Sequence, residues 1–213
     1  YCSKMDRYFG QVLDALETSG QRQNTIVVFC SDHGDYAGDH GLWCKGIAAF
    51  DSAYRIPLIM SFPESYQAHP GTNDAFASLC DIGPTLLEAS GSAFEPDQFT
   101  GKSLLPLVRG EMPADWRQSI CFQCDGVELY YTQRAITTKQ WKYVFNGFDF
   151  DELYDLESNP HELINLARKS EYDNTKRALC KELWTFASTV DDTPISSYIT
   201  VGLAPNGPRS VYE

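Results

Sequence analysis

The sequence predicts an α/β fold: a mixed sheet flanked by helices, followed by a small antiparallel sheet with a closing helix. Three observations carry that expectation. Residues 25–30 and 56–62 are short, apolar, β-branched runs with the character of strands buried on both faces. A segment of helical periodicity precedes the first run, and another follows the second. After about residue 110 the pattern changes to short aromatic or β-branched segments separated by turns, and these end in an amphipathic stretch.

Taken in order, Met5, Tyr8, Phe9, Val12, Leu13 and Leu16 recur at spacings of three and four, one apolar helix face that Gly20 closes. Residues 25–30 then read as a strand of a parallel sheet, and residues 56–62 as a second, with Pro57 tolerated at its very start. A long segment rich in Gly, Asp and His separates them. Residues 81–91 have the marks of a capped helix: Asp81 at the N-cap, Pro84 in the first turn, Gly91 at the end. Residues 119–123, 130–137, 141–145 and 152–156 are the strands of the antiparallel sheet. Tyr172, Lys176, Leu179, Cys180, Leu183 and Ala187 mark the closing helix, and residues 191–213 are expected to run over the surface.

Of the 213 residues 43% are hydrophobic and 13% aromatic, enough for a packed core, which excludes wholesale disorder. Seventeen Lys and Arg against 29 Asp and Glu give a net charge of −12, which argues against a nucleic-acid partner. An anionic substrate stays open, since a site needs only local positive charge. No apolar run approaches the roughly 20 residues of a membrane helix. The chain opens Tyr1-Cys2-Ser3-Lys4 with neither an initiator Met nor a leader, and reads as a piece of a longer protein. Seven scattered Cys, an odd number, read as reduced thiols. They lean towards a reducing, cytoplasmic setting but leave localisation unknown, because an export signal would lie upstream. Cys121 and Cys124 have redox spacing, yet within a strand their thiols would fall on opposite faces or on a bend.

The chemistry concentrates in Ser31-Asp32-His33-Gly34-Asp35 and Gly38-Asp39-His40-Gly41-Leu42-Trp43-Cys44-Lys45. In open α/β sheets ligands bind beyond the carboxyl ends of strands, where Asp32 and His33 stand. A carboxylate beside an imidazole offers oxygen and nitrogen to a divalent cation, and Lys45 offers a compact charge to an oxyanion. Gly34, Gly38 and Gly41 let the backbone turn tightly around a bound group. An isolated Asp-His can be no more than a capped turn. Here three Asp, two His, a Lys and the glycines fall within fourteen residues after one strand, which weighs against that.

This segment resembles the second metal-binding motif of the type I sulfatases, in the alkaline-phosphatase-like superfamily. The likeness is strongest to the choline-sulfatase, iduronate-sulfatase and phosphonate monoester hydrolase branch, where His follows the Asp. It extends along the chain. The first helix, Arg55-Ile-Pro-Leu-Ile, Asp81-Ile-Gly-Pro-Thr-Leu-Leu and Gly101-Lys-Ser-Leu-Leu-Pro-Leu resemble family segments, as do Arg134 to Tyr143 and Glu152 to Leu166. The resemblance implies that Asp32 and His33 are metal ligands and that Lys45 contacts the sulfate ester oxygens. His40 matches a recurrent position near the substrate entrance, with a histidine that supports the ligands from behind or only packs as the alternative. Arg55 could face the site or brace the loop. The implied cofactor is a divalent cation, Ca²⁺ first, with Mn²⁺ or Mg²⁺ as alternatives.

The family's nucleophile, a Cys or Ser in Cys/Ser-x-Pro-x-Arg that is oxidised to formylglycine, has no counterpart in these residues. The paired acidic ligands and the His-containing middle motif are also absent. All are expected in a missing N-terminal part of the same protein. Residues 1–110 would then be the C-terminal part of the catalytic α/β domain, 111–190 a small α+β subdomain and 191–213 an irregular tail. The expected activity is metal-dependent hydrolysis of sulfate esters on a sulfated small molecule or glycan, with this chain inactive alone and a homo-oligomer allowed. The alternatives are a phosphonate or phosphate monoester hydrolase, and a non-catalytic domain that retains the fold.

Overall fold

The first helix, α1 (Cys2–Thr18), ends where Gly20 takes a φ of 72° and its N–H donates to the Glu17 carbonyl. This computed structural model describes all residues except 47, 127–131, 148, 193–203 and 212–213. No residue of α1 is buried, and Met5 and Val12 on its apolar face are largely exposed. Phe9 packs against Phe29 of the sheet, with ring centroids 5.0 Å apart.

Phe29 lies on β1 (Val27–Cys30), which pairs with β2 (Leu58–Ser61). The pairing is antiparallel, with Val27 opposite Ser61 and Cys30 opposite Leu58, so the expected parallel arrangement is corrected. Nor are both faces covered, since Ile59, Phe29 and Cys30 are exposed. An apolar β-branched run reports a capacity for burial and carries no strand direction, and a connection as long as residues 31–57 can return the chain either way.

Within that connection sits a single helical turn, α2 (Asp51–Tyr54). Beyond β2 the chain forms α3 (Ile82–Ala89) and α4 (Leu105–Val108). Asp81 precedes α3 as expected, but its carboxylate does not cap it. Ser78 and Asp81 instead form a capping box on a preceding 3-10 turn, and Asp81 Oδ2 accepts the Ser78 N–H at 2.7 Å. The fully buried carboxylate also accepts the Lys102 N–H at 2.7 Å and two N–H groups of Arg117, at 2.6 and 2.9 Å. A buried charge needs several such partners, and that demand outweighs a helix cap.

The second half follows the expected pattern closely. β3 (Ser119–Cys124), β4 (Gln133–Thr138), β5 (Trp141–Asn146) and β6 (Glu152–Asp155) form one antiparallel sheet in sequence order. Positions 130 and 131, expected to begin the second of these strands, lie outside the described residues. The closing helix α5 (Asp173–Thr189) covers one face, burying Ile136, Tyr143, Phe145 and Leu153 against Leu179, Leu183 and Trp184. The opposite face presents Ala135, Val144 and Phe122 to Ala49 and Tyr54. Because side chains alternate along a strand, Lys142 shares that second face with Val144. Cys121 packs on the α5 side, while Cys124 Sγ lies 3.9 Å from the Gly46 carbonyl on the other. Residues 204–211 return to α5, where the Asn206 carbonyl accepts the Trp184 indole N–H at 2.8 Å. Among the described residues no helix is long and apolar enough to cross a membrane.

Candidate active site

β1 ends at Cys30 and the next three residues turn on their own side chains. The Ser31 hydroxyl donates to the His33 carbonyl at 2.7 Å, and Asp32 Oδ1 accepts the His33 N–H at 3.0 Å. The turn projects the Asp32 carboxylate outwards, 82% exposed. The backbone N–H of His33 is the main reason its pKa is held below the ordinary carboxylate value.

The His33 ring is fixed by its other nitrogen. Nδ1 lies 2.7 Å from the Gly34 carbonyl, which can only accept, so Nδ1 carries the proton and Nε2 the lone pair. Lys45 Nζ donates to that Nε2 at 2.8 Å, and Asp32 Oδ2 is 3.4 Å from the same atom.

Gly34 anchors the turn to α2. Its N–H donates to the Ala53 carbonyl at 2.8 Å, and a Cβ at this position would stand 2.0 Å from the Ser52 carbonyl oxygen. No side chain fits there.

Lys45 is brought back to His33 by a tightly wound loop. The N–H of buried Tyr36 donates to the Cys44 carbonyl, its hydroxyl donates to the Ala48 carbonyl at 2.6 Å, and the Gly38 N–H donates to the Leu42 carbonyl. Between residues 37 and 46 six residues have positive φ: Ala37, Gly38, His40, Gly41, Cys44 and Gly46. The three that are not glycine cost about 1 kcal/mol or more each, a strain the surrounding hydrogen bonds offset.

The structure thus brings Asp32, His33 and Lys45 together, and places His40 apart from them. The His40 ring lies flat on Phe50, centroids 3.6 Å apart and planes within 3°, with Nε2 3.9 Å from Asp39 Oδ2. Arg55 is exposed and 4.0 Å from Asp51.

Lys142, Asp51 and Glu162 were not among the expected functional residues. Lys142 is fully buried, donates to the Ala49 carbonyl at 3.1 Å, and pairs with both Asp51 and Glu162. Burial is the main cause of a raised Glu162 pKa, which the Lys142 ammonium opposes. The signal in the sequence is a lysine set into the otherwise aromatic and apolar run Trp141-Lys142-Tyr143-Val144-Phe145.

The donors suit a cation only as part of a set. A carboxylate and an imidazole with a free lone pair are appropriate ligands, but Ca²⁺ takes six to eight oxygen ligands. Among the described residues no group of three or more His, Cys, Asp and Glu converges. A groove of about 710 Å³ lies elsewhere, between β3 and α5, and none of Asp32, His33 or Lys45 lines it.

Residues 38–189 match the family model described as N-sulphoglucosamine sulphohydrolase, C-terminal. The chain belongs to the type I sulfatases. It is 34% identical to the choline-sulfatase of Rhizobium meliloti, over 78% of this chain and 31% of that protein. To the N-acetylglucosamine-6-O-sulfatase of Bacteroides thetaiotaomicron it is 31% identical, over 84% of this chain and 33% of that protein. Among solved structures it superposes on a protein in complex with its substrate D-glucosamine-2-N,6-O-disulfate, with a TM-score of 0.80 at 28% identity over 88% of this chain and 39% of that one. The phosphonate monoester hydrolase of Agrobacterium radiobacter gives a TM-score of 0.79 at 26% identity, over 87% of this chain and 39% of that one. This sulfatase chain therefore spans about a third of the length of the first curated relatives it matches.

Proposed function

We propose that the protein hydrolyses sulfate esters, and that this sulfatase chain supplies the cation-binding and anion-binding part of the site but no nucleophile. The observation that carries the proposal is the convergence of the Asp32 carboxylate, the His33 Nε2 lone pair and the Lys45 ammonium beyond β1. Asp32 and His33 would hold the cation, Ca²⁺ by preference. A divalent cation at this place supplies Lewis-acid polarisation of the ester oxygens. The Gly34 carbonyl keeps the His33 proton on Nδ1, so the other nitrogen stays available. That lone pair can serve Lys45 or a cation but not both, so the ammonium is free for a sulfuryl oxygen once the lone pair is taken. Lys45 then offsets the charge that grows on the sulfuryl group and its leaving oxygen.

No Cys/Ser-x-Pro-x-Arg segment occurs in the 213 residues, so the formylglycine nucleophile is proposed to lie in an N-terminal part of the same protein, and the chain alone to be inactive. The exposed apolar faces of α1 and β2, with Met5, Val12 and Ile59, support packing against such a part. The relatives' names favour a sulfated small molecule or glycan as substrate.

A phosphonate monoester hydrolase is the second reading, favoured by the likeness to the Agrobacterium enzyme. Parallel kinetics of the full-length protein on an aryl sulfate and an aryl phosphonate monoester decide between them. A kcat/KM higher for the sulfate supports the proposal, and a preference for the phosphonate overturns it.

A further inference from the structure

Lys142 is a buried cation with no part in the chemistry proposed above. The Lys142 ammonium donates hydrogen bonds to the Ala49 carbonyl and the Asp51 carboxylate, and forms an ion pair with the Glu162 carboxylate. These acceptors are not spread along β5, where Lys142 resides. Two of them flank Phe50, whose carbonyl accepts the N–H groups of Ala53 and Tyr54 and so starts α2. Glu162 Oε2 reinforces the same point by accepting the Asp51 N–H at 2.8 Å.

From there the contacts lead in one direction. The Ala53 carbonyl accepts the Gly34 N–H, and the Ser52 carbonyl blocks any movement of Gly34 towards the helix. The Gly34 carbonyl in turn accepts the hydrogen bond of His33 Nδ1–H. Each link is a hydrogen bond or a close backbone contact with one geometry, while the apolar packing of Ala49 against Ala135 and Val144 alone would let α2 slide.

We propose that Lys142 is a positioning residue for His33: its buried ammonium fixes α2, and α2 fixes Gly34 and with it the imidazole tautomer. This deepens the sulfatase proposal and rests on its reading of His33 as a cation ligand. An apolar side chain of similar volume would fill the space but leave two carboxylates and a carbonyl without their shared donor.

The test is the state of the His33 ring in the metal-free full-length protein labelled with ¹⁵N-histidine, read by long-range ¹H–¹⁵N correlation. His69 and His161, which make no contact in this relay, serve as internal references. The wild type is expected to show well-separated Nδ1–H and Nε2 resonances. In Lys142→Met the separation should narrow as tautomers mix, Ca²⁺ affinity by calorimetry should fall tenfold or more, as for lost outer contacts to a metal ligand, and Lys142→Arg should restore part of both. A folded Lys142→Met protein with an unchanged His33 spectrum overturns the proposal. Where Lys142→Met does not fold, Glu162→Gln decides, because it leaves Lys142 bonded to Ala49 and Asp51. A smaller narrowing of the same kind supports the proposal, and none overturns it. The spectrum is read without substrate or metal, so a protein that hydrolyses no sulfate ester yet shows the narrowing loses the functional reading and keeps this one.

Discussion

Gly34→Ala tests how closely the site turn depends on α2. Gly34 does not have a positive φ, so alanine is permitted by the backbone and the penalty comes from space alone. A methyl group would stand 2.0 Å from the Ser52 carbonyl oxygen, 3.0 Å from its carbon and 3.2 Å from Ala53 Cα. All three are backbone atoms, so no side chain can swing aside. The turn and the helix must part by an ångström or more, which breaks the 2.8 Å bond from the Gly34 N–H to the Ala53 carbonyl. Overpacking of this kind costs about 1–3 kcal/mol and the lost bond about 1 kcal/mol more, so a loss of about 2–4 kcal/mol is expected. Urea unfolding of the full-length protein, with wild type alongside, measures it through the midpoint at constant slope. Because the Gly34 carbonyl moves with the turn, the His33 tautomer should mix as well. A variant with the wild-type midpoint would refute the close approach and the reasoning built on it.

Other consequences are open to measurement. Arg117→Met strands the fully buried Asp81 carboxylate and should destabilise by about 3–5 kcal/mol; a urea-derived loss below about 1 kcal/mol would contradict the pairing. The Asp32 pKa is lowered by folding, so its contribution to stability is present above the unfolded value near 4 and fades as pH falls through the folded one. Midpoints of wild type and Asp32→Asn should therefore converge at the acid end of a pH 2–6 series, and a constant gap would count against the shift. Burial pushes the Cys121 thiol up to about 12, so alkylation at pH 8 should spare it in the folded protein; labelling at the rate seen in urea would show that it is accessible.

The second half of the fold was legible because its strands have one face packed under α5, are short, are set apart by turns and carry aromatic or β-branched residues at ten of their 22 positions. Four strands and the helix fell within a few residues of their expected places. Strand direction in the first half was not legible, because the run at residues 25–30 carries no alternation to say which neighbour it meets. Asp32, His33 and Lys45 stood out through residue type and density after one strand. The tautomer of His33 did not, since it depends on a carbonyl whose place is set by Ser52 and Ala53, about twenty residues further on. Lys142 was hidden for a related reason: a charged residue in a strand reads as its solvent face, and only the tertiary structure shows the carboxylates of Asp51 and Glu162 waiting for it. Asp81 looked like a cap because Asp before a helix usually is one, and its actual partner, Arg117, is 36 positions away.

The central claim is that Lys45, beside Asp32 and His33, serves the hydrolysis of a sulfate ester. Its most direct test is kcat/KM of the full-length protein on an aryl sulfate with Ca²⁺ supplied, for wild type and Lys45→Ala, with folding of both checked by thermal unfolding. The account predicts a fall of about 10²–10³-fold with an intact fold, by analogy with removal of an oxyanion donor. A correctly folded Lys45→Ala protein that turns over the sulfate ester at the wild-type rate would contradict it.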